Sequence, residues 1–225
     1  KKLKLGNIKS KRDWDIESDV IKAHQKASLG NDNVIKYIEQ YYSKPKDLES
    51  LIPLSQIMQA NAIRTAVEAH RRSMPFCMGT LYWQLNDCWP GVSWSSIDYN
   101  GNWKALHYAA RIFFNPVLLS IVQKDNLINI YIINDQDHFF NAELSVVLYS
   151  FNGSVLVEET KTVEVPSTCS TIALKLSSGK LIGNHDQSEI VLCCELKKDG
   201  ISITNNNFFF CKPKDLKLTK PKFDY

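Results

Sequence analysis

Phe76-Cys77-Met78-Gly79-Thr80-Leu81-Tyr82-Trp83-Gln84-Leu85 is short, apolar and nearly continuous. It lacks the alternation of a strand with one wet face, so it predicts a strand covered on both faces, as in a parallel sheet. Upstream the spacing is helical. Ile16, Val20, Ala23 and Ala27 share one face between Trp14 and Ala27,. Gly30 interrupts them, and Asn31 is positioned to cap a second helix carrying Val34, Ile35, Ile38 and Tyr41,. Pro45 ends that region. Pro53 suits the first turn of a third, longer helix reaching about Arg72, with Met58, Ala62, Ala66 and Ala69 as its apolar stripe, and Pro75 stops it,. A helix from about Lys104 to Phe114 closes this half.

Helix, strand, rich loop, helix is the order of a β/α barrel or a wound sheet. One buried strand cannot make a parallel sheet. Residues 1–115 are therefore expected to be an incomplete α/β domain. The first methionine is Met58 and the chain opens on Lys1-Lys2, which fits a processed, proteolysed or engineered piece, or a translated protein lacking only its first residue.

After Pro116 the period becomes two. Leu144, Val146 and Leu148 alternate with Glu143, Ser145 and Val147; Ile172, Leu174 and Leu176 alternate with Ala173 and Lys175; Ile190, Leu192, Cys194 and Leu196 follow suit. Asp125-Asn126, Asn152-Gly153, Ser178-Gly179 and Asp199-Gly200 punctuate the runs as turn signals,. About seven short strands between Val117 and Cys211, with no long helix, predict a β-sandwich of immunoglobulin size. The fold class expected is α/β plus β: an incomplete α/β part, then an immunoglobulin-like β-sandwich.

Composition excludes several functions. The 225 residues are 44% hydrophobic and 23% charged, with a formal net charge of +3, ordinary for a globular chain. Lysines are scattered, with no basic stripe interleaved with aromatics, so no nucleic-acid partner is expected. No stretch is long and apolar enough to span a bilayer, and no apolar segment follows the basic start. Cys77, Cys88, Cys169, Cys193, Cys194 and Cys211 form no CxxC pair and no zinc spacing,. They read as mostly free thiols, and no metal or cofactor is expected.

Chemistry concentrates between Gly79 and Tyr99. Three Trp, two Asp and one Asn gather where a barrel strand would end, the side on which barrel sites form,. Indole faces stack on the C–H faces of a sugar ring while Asp and Asn bind its hydroxyls. Each residue also has a structural reading: Trp83 as barrel core, Trp89 and Trp94 as loop cover, Asn86 and Asp87 as backbone-bonding turn residues. Asp98, before Tyr99-Asn100-Gly101, is a turn residue,.

Met78-Gly79-Thr80-Leu81-Tyr82-Trp83-Gln84-Leu85-Asn86-Asp87 with Trp89-Pro90, then Ser93 to Tyr99 and Gly101-Asn102-Trp103-Lys104-Ala105-Leu106-His107-Tyr108, resembles the β-mannosidases of glycoside hydrolase family 2. Trp14-Asp15, His24-Gln25-Lys26, Gly30-Asn31 and Glu68-Ala69-His70-Arg71-Arg72 resemble them too. The likeness is close over roughly residues 12–120 and looser beyond.

The resemblance implies a multidomain enzyme that removes terminal non-reducing β-D-mannose with retention. Residues 1–115 would be the last part of its TIM β/α barrel, 116–212 the next immunoglobulin-like domain, and 213–225 a linker toward a further domain. Retention uses two carboxyl groups about 5–5.5 Å apart. In the family they follow barrel strands 4 and 7, so both catalytic glutamates are expected outside this chain, which is expected to be inactive alone. The implied substrate-binding residues are Trp83, Asn86, Asp87 and Trp89, with His24 and Gln25 near the pocket or in its packing. Glu68, in a helix beside Arg71 and Arg72, is read as a salt-bridge residue and not as an acid. The implied partners are β-mannoside oligosaccharides and the remaining domains of the same polypeptide. A bacterial glycan-degrading parent would favour a periplasmic or secreted location. The competing reading is an inactive carbohydrate-binding or structural module of a related β-galactosidase- or β-glucuronidase-like hydrolase.

Overall fold

In the computed structural model, which describes residues 14–219, the alternating half forms seven antiparallel strands. They are β1 (Val117–Lys124), β2 (Leu127–Asn134), β3 (Phe140–Ser150), β4 (Val155–Val165), β5 (Cys169–Ser177), β6 (Ile190–Lys198) and β7 (Ile201–Phe209). Two sheets result, ordered β1-β2-β5 and β4-β3-β6-β7. Turn chemistry sets the hairpins. Asp199 and Gly200 both take positive φ, 53° and 78°, as a two-residue hairpin loop with the right twist requires.

One apolar core lies between the sheets. Leu119, Ile128, Ile130 and Ile132 of the first sheet meet Leu144, Val146, Leu148, Leu192 and Leu196 of the second. Each such side chain contributes about 1.5–3 kcal/mol by leaving water. The alternation read in β3 and β6 holds. In β5 it breaks: Leu174 pairs with Ile130 but Ile172 with Tyr131, leaving Ala173 as a bulge. The extra residue shifts the phase, so Ala173 joins Leu174 and Leu176 against the core while Ile172 turns outward. Ser178-Gly179, expected as a hairpin turn, instead opens α5 (Ser178–Ile182), capped by the Ser177 hydroxyl. The strand edges of the two sheets meet at one side, where buried Asn206 of β7 donates to the Leu119 carbonyl of β1 at 2.8 Å. At the opposite edge β4 is exposed along most of its length and carries Glu158, Glu159, Lys161 and Glu164, which discourages further strand pairing.

The helical half contains α1 (Asp19–His24), α2 (Gly30–Tyr41), α3 (Leu48–Arg72) and α4 (Ala105–Phe113). The first is shorter than its periodicity predicts because the Ser18 side chain caps it by accepting from Ile21 N,. Asn31 does not cap α2; its side chain accepts from Gln25 and donates to Ile16 O. Asp47 accepts from Ser50 N at 2.8 Å and starts α3 ahead of Pro53, which therefore lies inside the helix. Ile21, Ile38, Leu48 and Leu51 form one apolar cluster; Ala60, Val67, Leu106, Ala110 and Phe113 form another.

The expected buried strand over Phe76–Leu85 is absent. That segment carries no ladder, and Leu81, Trp83 and Leu85 are 98%, 74% and 55% exposed. Tyr82 faces inward, against the second helical cluster. A parallel strand needs neighbours for its N–H and C=O groups, and the described residues of this half offer only isolated bridges.

The chain packs as two units. One runs to Val67 and resumes over Thr80–Phe113; the other takes Glu68–Gly79 and continues from Phe114. Within the second unit the last turn of α3 is tied to the sandwich. Arg71 donates to Asn115 O at 2.9 Å and pairs with Asp135 at 2.8 Å. Arg72 donates to Ser120 Oγ at 2.6 Å and lies over the Tyr131 ring.

Candidate substrate-binding loop

All four residues singled out from the sequence lie on the segment between Trp83 and Trp89, in the first unit. Their surroundings differ sharply. Trp83 presents its indole to solvent, and the Trp83–Gln84 peptide is cis. Asn86 pairs with Ile97 in a one-residue bridge and donates weakly to Asp87 O. Asp87 is buried, with its side chain only 6% exposed. Trp89 is partly exposed. Its ring lies parallel to His24, with centroids 5.1 Å apart, and Lys26 Nζ is 4.9 Å from its centre.

His24 packs on the loop, while Gln25 donates to Asn31 Oδ1 at 3.0 Å. Besides stacking, His24 Nδ1 bonds to the Pro90 carbonyl and its own carbonyl accepts from Val92 N at 3.2 Å. The turn beneath is tight. A Cβ on Gly91 would stand 2.7 Å from Trp89 Nε1 and 3.1 Å from His24 O, so only glycine fits without displacing one of them.

Asp87 is the centre of a buried polar ring that residue-by-residue reading did not foresee. Ser93 donates to its Oδ1, and Ser95 donates to its Oδ2 at 2.5 Å. Lys104, itself only 11% exposed, lies 3.3 Å from Oδ2 and donates to Ser95 Oγ at 2.8 Å and toward Ser93 O at 3.4 Å. A second node lies alongside. Ser96 donates to Leu85 O at 2.8 Å; its one proton spent, it accepts from Tyr82 OH at 3.0 Å and from His107 Nδ1 at 3.1 Å,. Asp98 closes the turn as read, accepting from Asn100 N and Asn102 N. The one sequence signal for the ring was polar residue density: Ser93, Ser95 and Ser96, bracketed by Asp87 and Lys104.

A cleft of about 350 Å³ opens between the helices and this loop. Asp87, Trp94, Tyr99 and Lys104 line it, but Trp83, Asn86 and Trp89 do not. Glu68 belongs elsewhere: in the second unit it accepts from Ser120 Oγ at 2.5 Å and sits 3.8 Å from Arg72, as its salt-bridge reading anticipated. Among the described residues no group of His, Cys, Asp and Glu could hold a metal ion, and no helix is long and apolar enough to cross a membrane.

Comparison with known proteins gives this geometry a setting. Residues 126–215 match the mannosidase Ig/CBM-like domain family. A β-mannosidase from Capra hircus is 34% identical over 166 residues, 68% of this chain and 19% of that protein. The solved β-D-mannosidase from Dictyoglomus thermophilum superposes with a TM-score of 0.87 at 27% identity, over 94% of this chain and 26% of that one. The chain is a relative of the β-mannosidases of glycoside hydrolase family 2. β-Mannosidase A of Emericella nidulans extends the likeness to 88% of this chain, at 28% identity and 24% of its own length. The chain thus spans about a fifth to a quarter of the β-mannosidases it matches. Within the sandwich, the strands from β2 to β7 lie in the stretch that matches the mannosidase Ig/CBM-like domain.

Proposed function

We propose that this chain is part of a retaining β-mannosidase that removes terminal non-reducing β-D-mannose, and that its first unit is the end of the enzyme's β/α barrel. The observation that carries the reading is the exposure pattern of the Thr80–Leu85 segment. Tyr82 packs on the helices while Leu81, Trp83 and Leu85 face outward, the pattern of a barrel strand whose neighbours come from other sequence. Residues 1–115 then belong to the barrel, 116–212 to the sandwich and 213–225 to a linker.

In this reading Trp83 floors the pocket for the reacting mannose, and Asn86 and Trp89 stand at its rim. Both catalytic carboxylates come from sequence outside this chain. Among the described residues the carboxylates nearest the loop are committed elsewhere, Asp87 to two serines and Lys104 and Asp98 to its own turn. Without a nucleophile the covalent intermediate of retention cannot form. A sugar-binding role for the sandwich alone is less well supported, since all five tryptophans precede it.

The test compares this chain with the longer polypeptide that carries it, on p-nitrophenyl β-D-mannoside. Turnover by the longer polypeptide and none by the chain is expected. Turnover by the chain alone, or activity of the longer one on the β-galactoside and not the β-mannoside, overturns the reading.

A further inference from the structure

Asp87 sits in the loop that the proposed function assigns to the sugar, yet its chemistry points inward. An ionised carboxylate offers about four acceptor positions. Ser93, Ser95 and Lys104 occupy three of them, and the side chain is nearly sealed from solvent. Lys104 has three N–H donors and four acceptors around it: Asp87 Oδ2, Ser95 Oγ, Ser93 O and Ser93 Oγ. The ring is closed on itself.

The ring also spans the loop. Asp87 lies at its entrance, Ser93 and Ser95 flank Trp94, and Lys104 stands immediately before α4 (Ala105–Phe113). Backbone bonds run the same way: Asp87 N donates to Ile97 O, and Lys104 N to Ser96 O. A buried ion pair gains little stability over apolar residues of the same size, because desolvation offsets the attraction. What it supplies is geometry, since neither charge tolerates losing the other.

We infer that Asp87 and Lys104 form a positioning latch that holds the loop, and Trp89 with it, in place for the sugar without touching the sugar. The inference rests on the proposed β-mannosidase reading for its substrate. Asp87 then becomes a positioning residue, and Lys104 joins the site as its partner.

The experiment is a double-mutant cycle in the longer active polypeptide: Asp87→Asn, Lys104→Met and both together, with KM and kcat measured on the β-mannoside. Each single change leaves one buried charged group unpaired and is expected to raise KM about tenfold. The neutral double variant should be no worse than the poorer single one. kcat should stay within about threefold, because a displaced binding loop loses ground-state and transition-state contacts alike. Three results overturn the latch. A KM rise in Asp87→Asn with Lys104→Met unchanged would make Asp87 a direct sugar ligand. Additive losses would uncouple the pair. A fall in kcat at constant KM would mean only a smaller folded fraction.

If a charge variant does not fold, Ser93→Ala and Ser95→Ala take its place. They keep the ion pair and should raise KM about threefold, and an unchanged KM in both overturns the proposal. Should the unmodified polypeptide hydrolyse no β-mannoside, the functional reading fails and the latch is judged separately. Acrylamide quenching of tryptophan emission in this chain should then rise in both single variants and no further in the double one. Quenching equal to the parent chain overturns it.

Discussion

Ser120 donates its hydroxyl to Glu68 Oε2 at 2.5 Å, joining residues 52 positions apart. Both are buried. Arg72 donates to the same hydroxyl, so the last turn of α3 meets β1 through a continuous chain of hydrogen bonds, guanidinium to hydroxyl to carboxylate. Burial pulls the Arg72 guanidinium below its ordinary value while Glu68 opposes that shift. The carboxylate thus offsets part of the desolvation of this half-buried cation.

Glu68→Ala should destabilise the second unit by about 2–4 kcal/mol, because it removes the acceptor of Ser120 and the counter-charge of Arg72,. Urea unfolding followed by circular dichroism measures it. An effect below about 0.5 kcal/mol would show the contact to be incidental.

Leu144→Ala removes a fully buried side chain from between the two sheets. It should cost about 3–4 kcal/mol of sandwich stability. Thr160→Ala, on exposed β4, should stay within about 0.5 kcal/mol. The same unfolding experiment reads both.

Trp83→Ala should leave the stability of this chain almost unchanged, since the side chain is mostly in water. In the longer polypeptide it should lower kcat/KM on the β-mannoside by about ten- to a hundredfold, the value of burying one aromatic platform. Loss of stability here with intact activity there would reverse the assignment.

Amide hydrogen exchange should be fast across Thr80–Leu85 and slow in β2, β3 and β6. The former carries no ladder, whereas the latter are the inner strands of their sheets,. Equal protection would mean that the first unit makes backbone pairings beyond those described.

Burial, with Cys193 adding to it, pushes the Cys194 thiol up from 9.0 to about 12. At pH 8 iodoacetamide should label exposed Cys88 and spare Cys194, as peptide mass analysis would report,. The linked stability has a definite sign. With the folded pKa raised, Cys194 stabilises the sandwich fully below about pH 9 and loses that contribution as the pH climbs toward 12,. Cys194→Ala should flatten the alkaline limb of the unfolding curve.

Much of this architecture was legible in the residues. Leu144-Val146-Leu148 and Ile190-Leu192-Cys194-Leu196 announced their faces because strand side chains alternate with a period of two. Asp199-Gly200 announced its turn because few dipeptides accept two positive φ angles. Such signals act within a few residues, so sequence carries them intact. The family likeness of the Trp83–Asp87 region was equally plain, and with it the proposed sugar site.

The tertiary structure decided what distant groups do to one another. Phe76–Leu85 has the composition of a buried strand, but a strand exists only where neighbours accept its hydrogen bonds, and here it stays open. Ile172 faces outward because one bulged residue, Ala173, reverses the phase set by Leu174 and Leu176. The family resemblance implied a substrate-binding role for Asp87, and its residue type alone allowed a turn role; only folding brings Lys104, Ser93 and Ser95 around it. Local pattern fixes which residues are strand, helix or turn. Only packing decides which polar group spends its hydrogen bonds inside the protein and which keeps them for a ligand.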